Sequence, residues 1–315
     1  MKLVVMIPAY NEEESIASVI REIPRDCCDV VQVLVIDDGS TDNTSVEAKS
    51  AGADKVLRLK KNRGLARAFR AGIEVALGMG ADIIVNTDAD GQYDGRDILK
   101  LIEPILCGKA DFVLGSRIKG RIEEMPATKM LGNRMATAVT RYLSGLDISD
   151  AQTGFRAFTR EVALRLNVNG SYTYTQEMII QLARGQKGIS VIDVPILFRK
   201  RKGGKSRLIH NIFSYAIRAG TTMIRTYRDY EPLKTFMYIG GFFLLLGAAT
   251  GTVVLYHYFT TGIVTGRLPM ALLSVLFLIL GFQSILIGIL ADMLMSQKRV
   301  QDEVLYRLKK MEYDK

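Results

Sequence analysis

Val85-Asn-Thr-Asp-Ala-Asp-Gly-Gln-Tyr93 is the stretch on which the reading of this chain turns. An apolar run, Ile83 to Val85, stops abruptly at Asp88 and Asp90. Carboxylates at i and i+2 of a strand end point the same way, which suits a hard divalent cation such as Mg²⁺ or Mn²⁺. Gln92 adds a neutral oxygen at the next alternate position. So small a protein ligand set leaves coordination open for substrate phosphates. Asp-Gly is also a common turn signal, so the stretch by itself equally allows a plain hairpin.

Outward from it, residues 1 to 116 alternate short apolar runs with helical patterns. Strands are expected at Leu3 to Ile7, Val31 to Asp37, Lys55 to Leu59, Ile83 to Thr87 and Phe112 to Gly115. Helices are expected near Glu13 to Ile23, Asp42 to Ser50, Gly64 to Leu77 and Arg96 to Leu106. The alternation predicts an α/β fold, a mostly parallel sheet with helices on both faces, whose ligands bind beyond the carboxyl ends of the strands. All five strand ends are polar: Pro8-Ala-Tyr-Asn-Glu-Glu13, Asp37-Asp-Gly-Ser-Thr-Asp42, Asn62-Arg-Gly-Leu65, the acidic stretch and Gly115-Ser-Arg117. Helix capping accounts for Ser40, Thr41 and Asp42 but not for the whole set.

Beyond Gly120 the pattern predicts a helix over Lys129 to Leu143, a loop over Asp150 to Arg156, a helix from Tyr174 to about Arg184 and a last strand, Val191 to Phe198. A cationic, glycine-containing loop, Arg199-Lys-Arg-Lys-Gly-Gly-Lys-Ser-Arg207, follows. Such a run is either a solvated or lipid-facing patch or a lid that gathers charge around phosphates. Leu208 to Arg228 sets an apolar stripe, including Ile209, Ile212, Phe213 and Ile217, against basic residues, as in a helix lying in a membrane interface. Pro232 is read as ending it.

Two apolar segments, Phe236 to Leu255 and Leu268 to Leu290, are long enough to span a bilayer, and their glycines suit close helix packing in lipid. Arg218, Arg225, Arg228 and Lys234 precede the first, and Lys298, Arg299, Arg307, Lys309 and Lys310 follow the second. Only Arg267 lies between them. The bias predicts a two-span protein of the cell membrane with its large domain and both termini cytoplasmic. The strand-like start without a basic-then-apolar leader reads the same way. Cys27, Cys28 and Cys107 make neither a disulfide framework nor a zinc site, which fits a reducing compartment. The net charge of +9 over 315 residues concentrates near the membrane segments. That favours an anionic bilayer as partner, and no nucleic-acid-binding module is recognised. The tail, Gln297 to Lys315, is charged and expected to be helical.

Pro8-Ala-Tyr-Asn-Glu-Glu, Val35-Ile-Asp-Asp-Gly-Ser, Asn62-Arg-Gly-Leu and Asp88-Ala-Asp-Gly-Gln, in this order, resemble the GT-A glycosyltransferases of family 2. Asp150-Ala-Gln-Thr-Gly-Phe-Arg156 is similar to the branch of dolichol-phosphate mannose synthases. The resemblance covers residues 1 to about 230 and implies a Rossmann-like GT-A domain. It implies that Pro8, Tyr10, Glu12 and Asp37 hold the base and ribose of a nucleotide-sugar, that Asp88 and Ala89 lie along the nucleotide, and that Asp90 and Gln92 hold the metal. It carries Arg117, Arg134, Gln152 and Arg156 over as phosphate or sugar contacts. Arg201, Gly204, Ser206 and Arg207 match a loop that closes over the phosphates, with Asp90, Arg117 and Arg201 as the catalytic group. Relatives acting on hydroxyl acceptors carry Glu-Asp near Tyr174, with the Asp as base, where this chain has Glu177-Met178. A hydroxyl needs such a base, whereas a phosphate monoester is already ionised.

The expected organisation is a catalytic domain over 1–207, an interface helix over 208–230, two spans over 231–295 and a tail over 296–315. The expected reaction moves a single sugar, with inversion, from a nucleotide-sugar (GDP-mannose, a UDP-hexose or UDP-N-acetylglucosamine) to polyprenyl (dolichyl) phosphate. The alternatives are transfer to a glycerolipid hydroxyl, a processive synthase and a non-catalytic nucleotide-sugar-binding membrane protein. The chain has no Trp, so the Arg-Trp motif of processive relatives is absent. The complete acidic stretch argues against a silent binder.

Overall fold

The computed structural model describes residues 1–167, 174–185, 188–200 and 231–313. They form two compact units, Met1–Thr222 with Asp302–Lys315, and Met223–Gln301. The first contains a sheet of strands β1 (Lys2–Ala9), β2 (Val30–Asp37), β3 (Lys55–Arg58), β4 (Ile83–Asn86), β5 (Phe112–Ile122), β6 (Arg156–Thr159) and β7 (Val191–Phe198). Their order is β3-β2-β1-β4-β6-β5-β7. β1 runs parallel to β2 and β4, β2 to β3 and β5 to β7, while β6 is antiparallel to both β4 and β5. Its helices are α1 (Ile16–Arg21), α2 (Thr44–Ser50), α3 (Leu65–Gly78), α4 (Ile98–Leu106), α5 (Ala127–Ser144), α6 (Arg160–Arg165) and α7 (Tyr174–Gly185).

Along β1, Leu3, Val5 and Ile7 join one buried cluster with α1 and α4 residues, and Val4 and Met6 join the other with α3, α6 and α7 residues. A strand covered on both faces must be apolar throughout, which is why β1 reads as an unbroken run rather than an alternation. The parallel connections from β1 through β4 bring four polar strand ends to one edge of the sheet. Gly39 permits the closest approach there: its φ is +73°, and a Cβ would lie 2.5 Å from the Lys61 carbonyl carbon. A side chain would therefore separate the loops after β2 and β3.

Two elements were not expected. β6 is only Arg-Ala-Phe-Thr, and Arg156, expected in a loop, opens it. α6 follows directly, its N-terminus capped by the Thr159 hydroxyl, which accepts from Val162 N at 3.3 Å. Elements of 4 and 6 residues are too short to show a period of their own. β5 continues to Ile122 through a bulge: its pairing with β7 passes from Ser116↔Pro195 to Arg121↔Leu197, so residues 117–120 stand opposite Ile196 alone. Pro195 is tolerated because β7 is an edge strand.

In the second unit, α8 (Pro232–Thr261) and α9 (Leu268–Tyr313) contain both expected spans, and each is long and apolar enough to cross a membrane. They meet along small residues. A Cβ on Gly240 would lie 2.8 Å from the Gly281 carbonyl oxygen, and the Ser274 hydroxyl donates to Gly247 O at 2.7 Å. Pro232 sits in the first turn of α8, where a missing N–H is harmless.

The last turns of α9, from Asp302, belong to the first unit and pack beside α6. Tyr306 donates its hydroxyl to Glu161 (2.9 Å) beneath the Arg165 guanidinium, 3.8 Å from its ring centre. Lys309 Nζ donates to Leu166 O at 2.8 Å, and Asn167 Nδ2 to Asp302 Oδ1 at 3.0 Å. The expected interface helix, Leu208 to Arg228, lies outside the described residues.

Candidate active site

The ends of β1 and β2 are joined by reciprocal hydrogen bonds. Pro8 is buried in β1 opposite Ile36. Tyr10 and Glu12 follow, half-buried, and Glu12 Oε2 accepts from the Ser15 hydroxyl at 2.9 Å. Ser15 also donates to the carbonyl of Ala89 at 2.7 Å, tying the first loop to the acidic stretch. Asp37 ends β2 with no exposed surface; Oδ1 accepts from Ser40 N at 2.7 Å and Oδ2 from the Ser45 hydroxyl, with Arg58 Nε 3.6 Å away. Expected as a base or ribose contact, Asp37 is engaged in shaping the turn that follows it. Asp38 accepts from the Arg63 and Gly64 amides, each at 2.8 Å, and so fixes the loop that starts α3.

After β4 the acidic residues crowd together. Asp88 is half-buried, and a Cβ on Gly154 would lie 2.6 Å from its Oδ1, so only glycine admits the carboxylate there. Burial and then the charge of Asp90 push the Asp88 carboxyl up to about 7, against the pull of Arg117, Arg156 and Lys129. Gly154 is clamped on both sides: Asn86 Nδ2 donates to its carbonyl at 2.7 Å, and its N–H donates to Tyr93 Oη at 3.0 Å. Tyr93 stacks on Phe155, centroids 5.1 Å apart, and burial pushes its hydroxyl up to about 12.

Asp90 Oδ1 accepts from Gln92 N at 3.1 Å. Gln92 donates its side-chain N–H to Arg199 O (3.4 Å), which leaves the amide oxygen as the hard donor. Among the described residues no three His, Cys, Asp or Glu side chains converge to hold a metal. A carboxylate plus an amide oxygen fits Mg²⁺ or Mn²⁺ that takes its remaining ligands from phosphates, and a cation would offset the Asp90 charge that adds to burial in raising Asp88.

The arginines expected to meet phosphate are largely occupied. Arg117, 4% exposed, forms a two-pronged pair with Asp150: Nε to Oδ2 at 2.7 Å and Nη2 to Oδ1 at 2.9 Å. Burial opposes its charge, but Tyr93 and the paired Asp150 more than compensate and raise its pKa. The β5 bulge turns this residue toward Asp150, a common use of bulges beside sites. Arg156, 1% exposed, donates to Thr153 O at 2.7 Å, Ala151 O at 3.0 Å and Thr175 O at 2.9 Å, and burial lowers its pKa. It holds the 150–156 loop and the start of α7 rather than facing open space. Arg134 is exposed on α5, and Gln152 is half-buried, its Nε2 without a hydrogen-bond partner among the described residues. Met178 has no exposed surface and lies 3.7 Å from Arg156 Nη1, so α7 presents no carboxylate at that position. Arg201, Gly204, Ser206 and Arg207 lie outside the described residues. The basic loop begins at Arg199, which grips Glu22 at 2.9 and 2.7 Å and Asp94 at 2.6 Å.

Sequence reasoning passed over Asn86, Tyr93, Lys129, Asp150 and Gly154. Tyr93 and Asp150 stood inside quoted motifs, and a buried acid next to a glycine-containing turn was the available signal. Lys129 carried none, because its influence on Asp88 arises only from the placement of α5.

Residues 4–166 match the sequence model of glycosyl transferase family 2. The polyprenol monophosphomannose synthase of Mycolicibacterium smegmatis is 31% identical over 216 residues, 66% of this chain and 81% of that one. The UDP-N-acetylglucosamine–dolichyl-phosphate N-acetylglucosaminyltransferase of Methanococcus voltae is 34% identical over 213 residues, 61% and 83% of the two chains. Among solved structures, the glucosyl-3-phosphoglycerate synthase of Mycobacterium tuberculosis, crystallised with Mn²⁺, UDP and phosphoglyceric acid, superposes with a TM-score of 0.55 at 22% identity. That match covers 70% of this chain and 78% of that one, and it establishes the GT-A fold.

Proposed function

Because the chain belongs to glycosyl transferase family 2, we propose that it is a hexosyltransferase that moves one sugar from a nucleotide-sugar to a polyprenyl (dolichyl) phosphate at the cytoplasmic face of a membrane. The acceptor class rests on the named activities of the two relatives. The observation in this chain that carries it is Met178, buried against Arg156 where hydroxyl-directed relatives place a base. An ionised phosphate oxygen attacks the anomeric carbon, the bond from that carbon to the nucleotide diphosphate breaks, and the configuration inverts. No proton has to be removed from the nucleophile.

The chain's residues bind and align. The Tyr10 to Glu12 loop, shaped with the Asp37 turn, takes the base and ribose, and Asp88 and Ala89 line the nucleotide. Asp90 and Gln92 would hold Mg²⁺ or Mn²⁺, which when bound would supply Lewis-acid stabilisation of the departing diphosphate. Arg134 and Gln152 face the acceptor phosphate. Arg117 and Arg156 act one step back, fixing Asp150 and the 150–156 loop so that Gly154 seats Asp88. Arg201, Ser206 and Arg207 of the basic loop close over the phosphates and complete the charge balance.

The proposed organisation keeps a catalytic domain over 1–207, an interface helix over 208–230, spans within 231–295 and a tail over 296–315. Two candidate spans among the described residues, and a tail packed on α6 of the catalytic unit, support placing both termini on one membrane face. The test is an assay of membranes containing the full chain with a panel of labelled nucleotide-sugars and added polyprenyl phosphate. One donor should label the lipid, and Asp90→Asn should lower the rate by roughly a thousandfold, the scale of several kcal/mol of charge stabilisation. Unchanged transfer by Asp90→Asn would rule the metal assignment out.

A further inference from the structure

Asn11 is the one residue other than glycine with a positive φ among the described residues, at 52°. It stands between Tyr10 and Glu12, both assigned above to the donor. A left-handed residue reverses the local direction of the chain, so the sign of this one angle decides where its two neighbours project. Asn is among the few side chains that tolerate the conformation, and a polar side chain can hold it there by a local bond.

Here the holding contacts reach the second strand end. The Asn11 amide donates to Ser40 Oγ at 2.9 Å, and Asn11 Oδ1 accepts from Thr41 N at 2.8 Å. Ser40 N in turn donates to Asp37, and Asp38 N donates to Ala9 O at 2.9 Å. The next residues continue the seam, with Glu12 N donating to Thr44 Oγ1 at 2.9 Å and Asn43 N to Glu13 Oε2 at 3.0 Å. Asn11 is the point at which backbone conformation and the link between the two loops coincide.

We propose that Asn11 is a positioning residue for the donor, holding Tyr10 and Glu12 in their binding directions through its left-handed backbone and its bonds to Ser40 and Thr41. The proposal rests on the donor reading of Tyr10 and Glu12. It concerns a residue that touches other protein groups rather than the nucleotide.

The test measures donor KM, kcat and thermal midpoint for the full chain in membranes or detergent. Asn11→Ala removes the Thr41 bond and disfavours the left-handed backbone, and it should raise donor KM roughly tenfold with kcat and acceptor KM changed less than about twofold. Asn11→Gly restores the backbone freedom but not the bond and should recover most of that loss, to roughly threefold. Ser40→Ala should likewise raise donor KM by roughly threefold. A purely structural role would lower the midpoint without splitting KM from kcat. If Asn11→Ala does not fold, the Asn11→Gly and Ser40→Ala effects on donor KM decide. Tyr10→Ala and Glu12→Ala serve as controls. Donor KM unchanged in both would remove the donor reading itself. Donor KM raised in both but unchanged in the Asn11 and Ser40 variants would overturn the proposal alone.

Discussion

At the ends of β1 and β2, Asp37 and Asp38 are held by amides and hydroxyls only 3 to 26 residues away, and each of those bonds shapes a loop. In the bulge of β5, Arg117 is held instead by a carboxylate 33 residues on, and Arg156, which opens β6, by backbone carbonyls of the 150–156 loop and of α7. The first side orders backbone with carboxylates. The second places two cations in the interior, pairing Arg117 with a carboxylate and surrounding Arg156 with carbonyls, so its arginines are scaffolding before they are ligands. A motif's arginine is therefore weaker evidence of substrate contact than its exposure, and on this side Arg134 is the exposed one.

The sharpest way to break the comparison is to unpair the buried cation. Asp150→Asn leaves Arg117 without its counter-charge, and breaking such a pair costs about 3–5 kcal/mol. A large fall in thermal midpoint is expected, and adding Arg117→Met to Asp150→Asn should recover much of it. If Asp150→Asn unfolds no earlier than the parent chain, Arg117 is not scaffolding.

Gly154→Ala probes where the two sides meet. A Cβ there falls 2.6 Å from Asp88 Oδ1, so the loop or the carboxylate must move. Overpacking of this kind costs about 1–3 kcal/mol, and because the strain falls on the donor carboxylate, turnover should drop at least tenfold while the midpoint shifts modestly. Turnover close to that of the parent chain would show that Asp88 can sit elsewhere.

Asp94, which joins Arg96 and the first arginine of the basic loop, gives a pH signature. The Arg96 hydrogen bond, with Arg199 contributing, holds its carboxyl down at about 2. A folded value below the ordinary ~3.9 means stabilisation that is complete above about pH 4 and lost as the pH falls through about 2. The stability difference between the parent chain and Asp94→Asn should thus be constant from neutrality to about pH 5 and close below pH 4. A difference that persisted undiminished at low pH would refute the pairing. The smallest effect is expected at the tail. Tyr306→Phe removes one hydroxyl bond to the exposed Glu161 and should lower stability by about 1 kcal/mol or less in chemical denaturation, with no change in donor KM.

The N-terminal half of the fold was legible because β1, β2 and β4 send buried residues to both faces of the sheet and each ends in a motif. Once the strands are parallel and adjacent, their polar ends must converge, so Asp37, Asp88 and Asp90 could be grouped from sequence. The acceptor half was not legible in the same way. β6 has 4 residues and runs against its neighbours, so nothing periodic announced it. The bulge that delivers Arg117 to Asp150 depends on pairing with β7, about 80 residues later in the chain, as the Ser116↔Pro195 register shows. Asp37 is placed near the nucleotide by resemblance alone; that its oxygens also accept from Ser40 and Ser45 depends on the turn after β2 and could not be seen in the motif. The apolar helices were fully legible, since a span of lipid length needs only composition to be seen.

The central claim is that the nucleophile is a lipid phosphate, and the chemical identity of the product tests it most directly. Membranes containing the full chain, supplied with the labelled nucleotide-sugar it accepts, should yield by mass spectrometry a single hexose or N-acetylhexosamine joined through phosphate to a polyprenyl chain. A sugar on a diacylglycerol hydroxyl, with no polyprenyl phosphate product, would contradict the account.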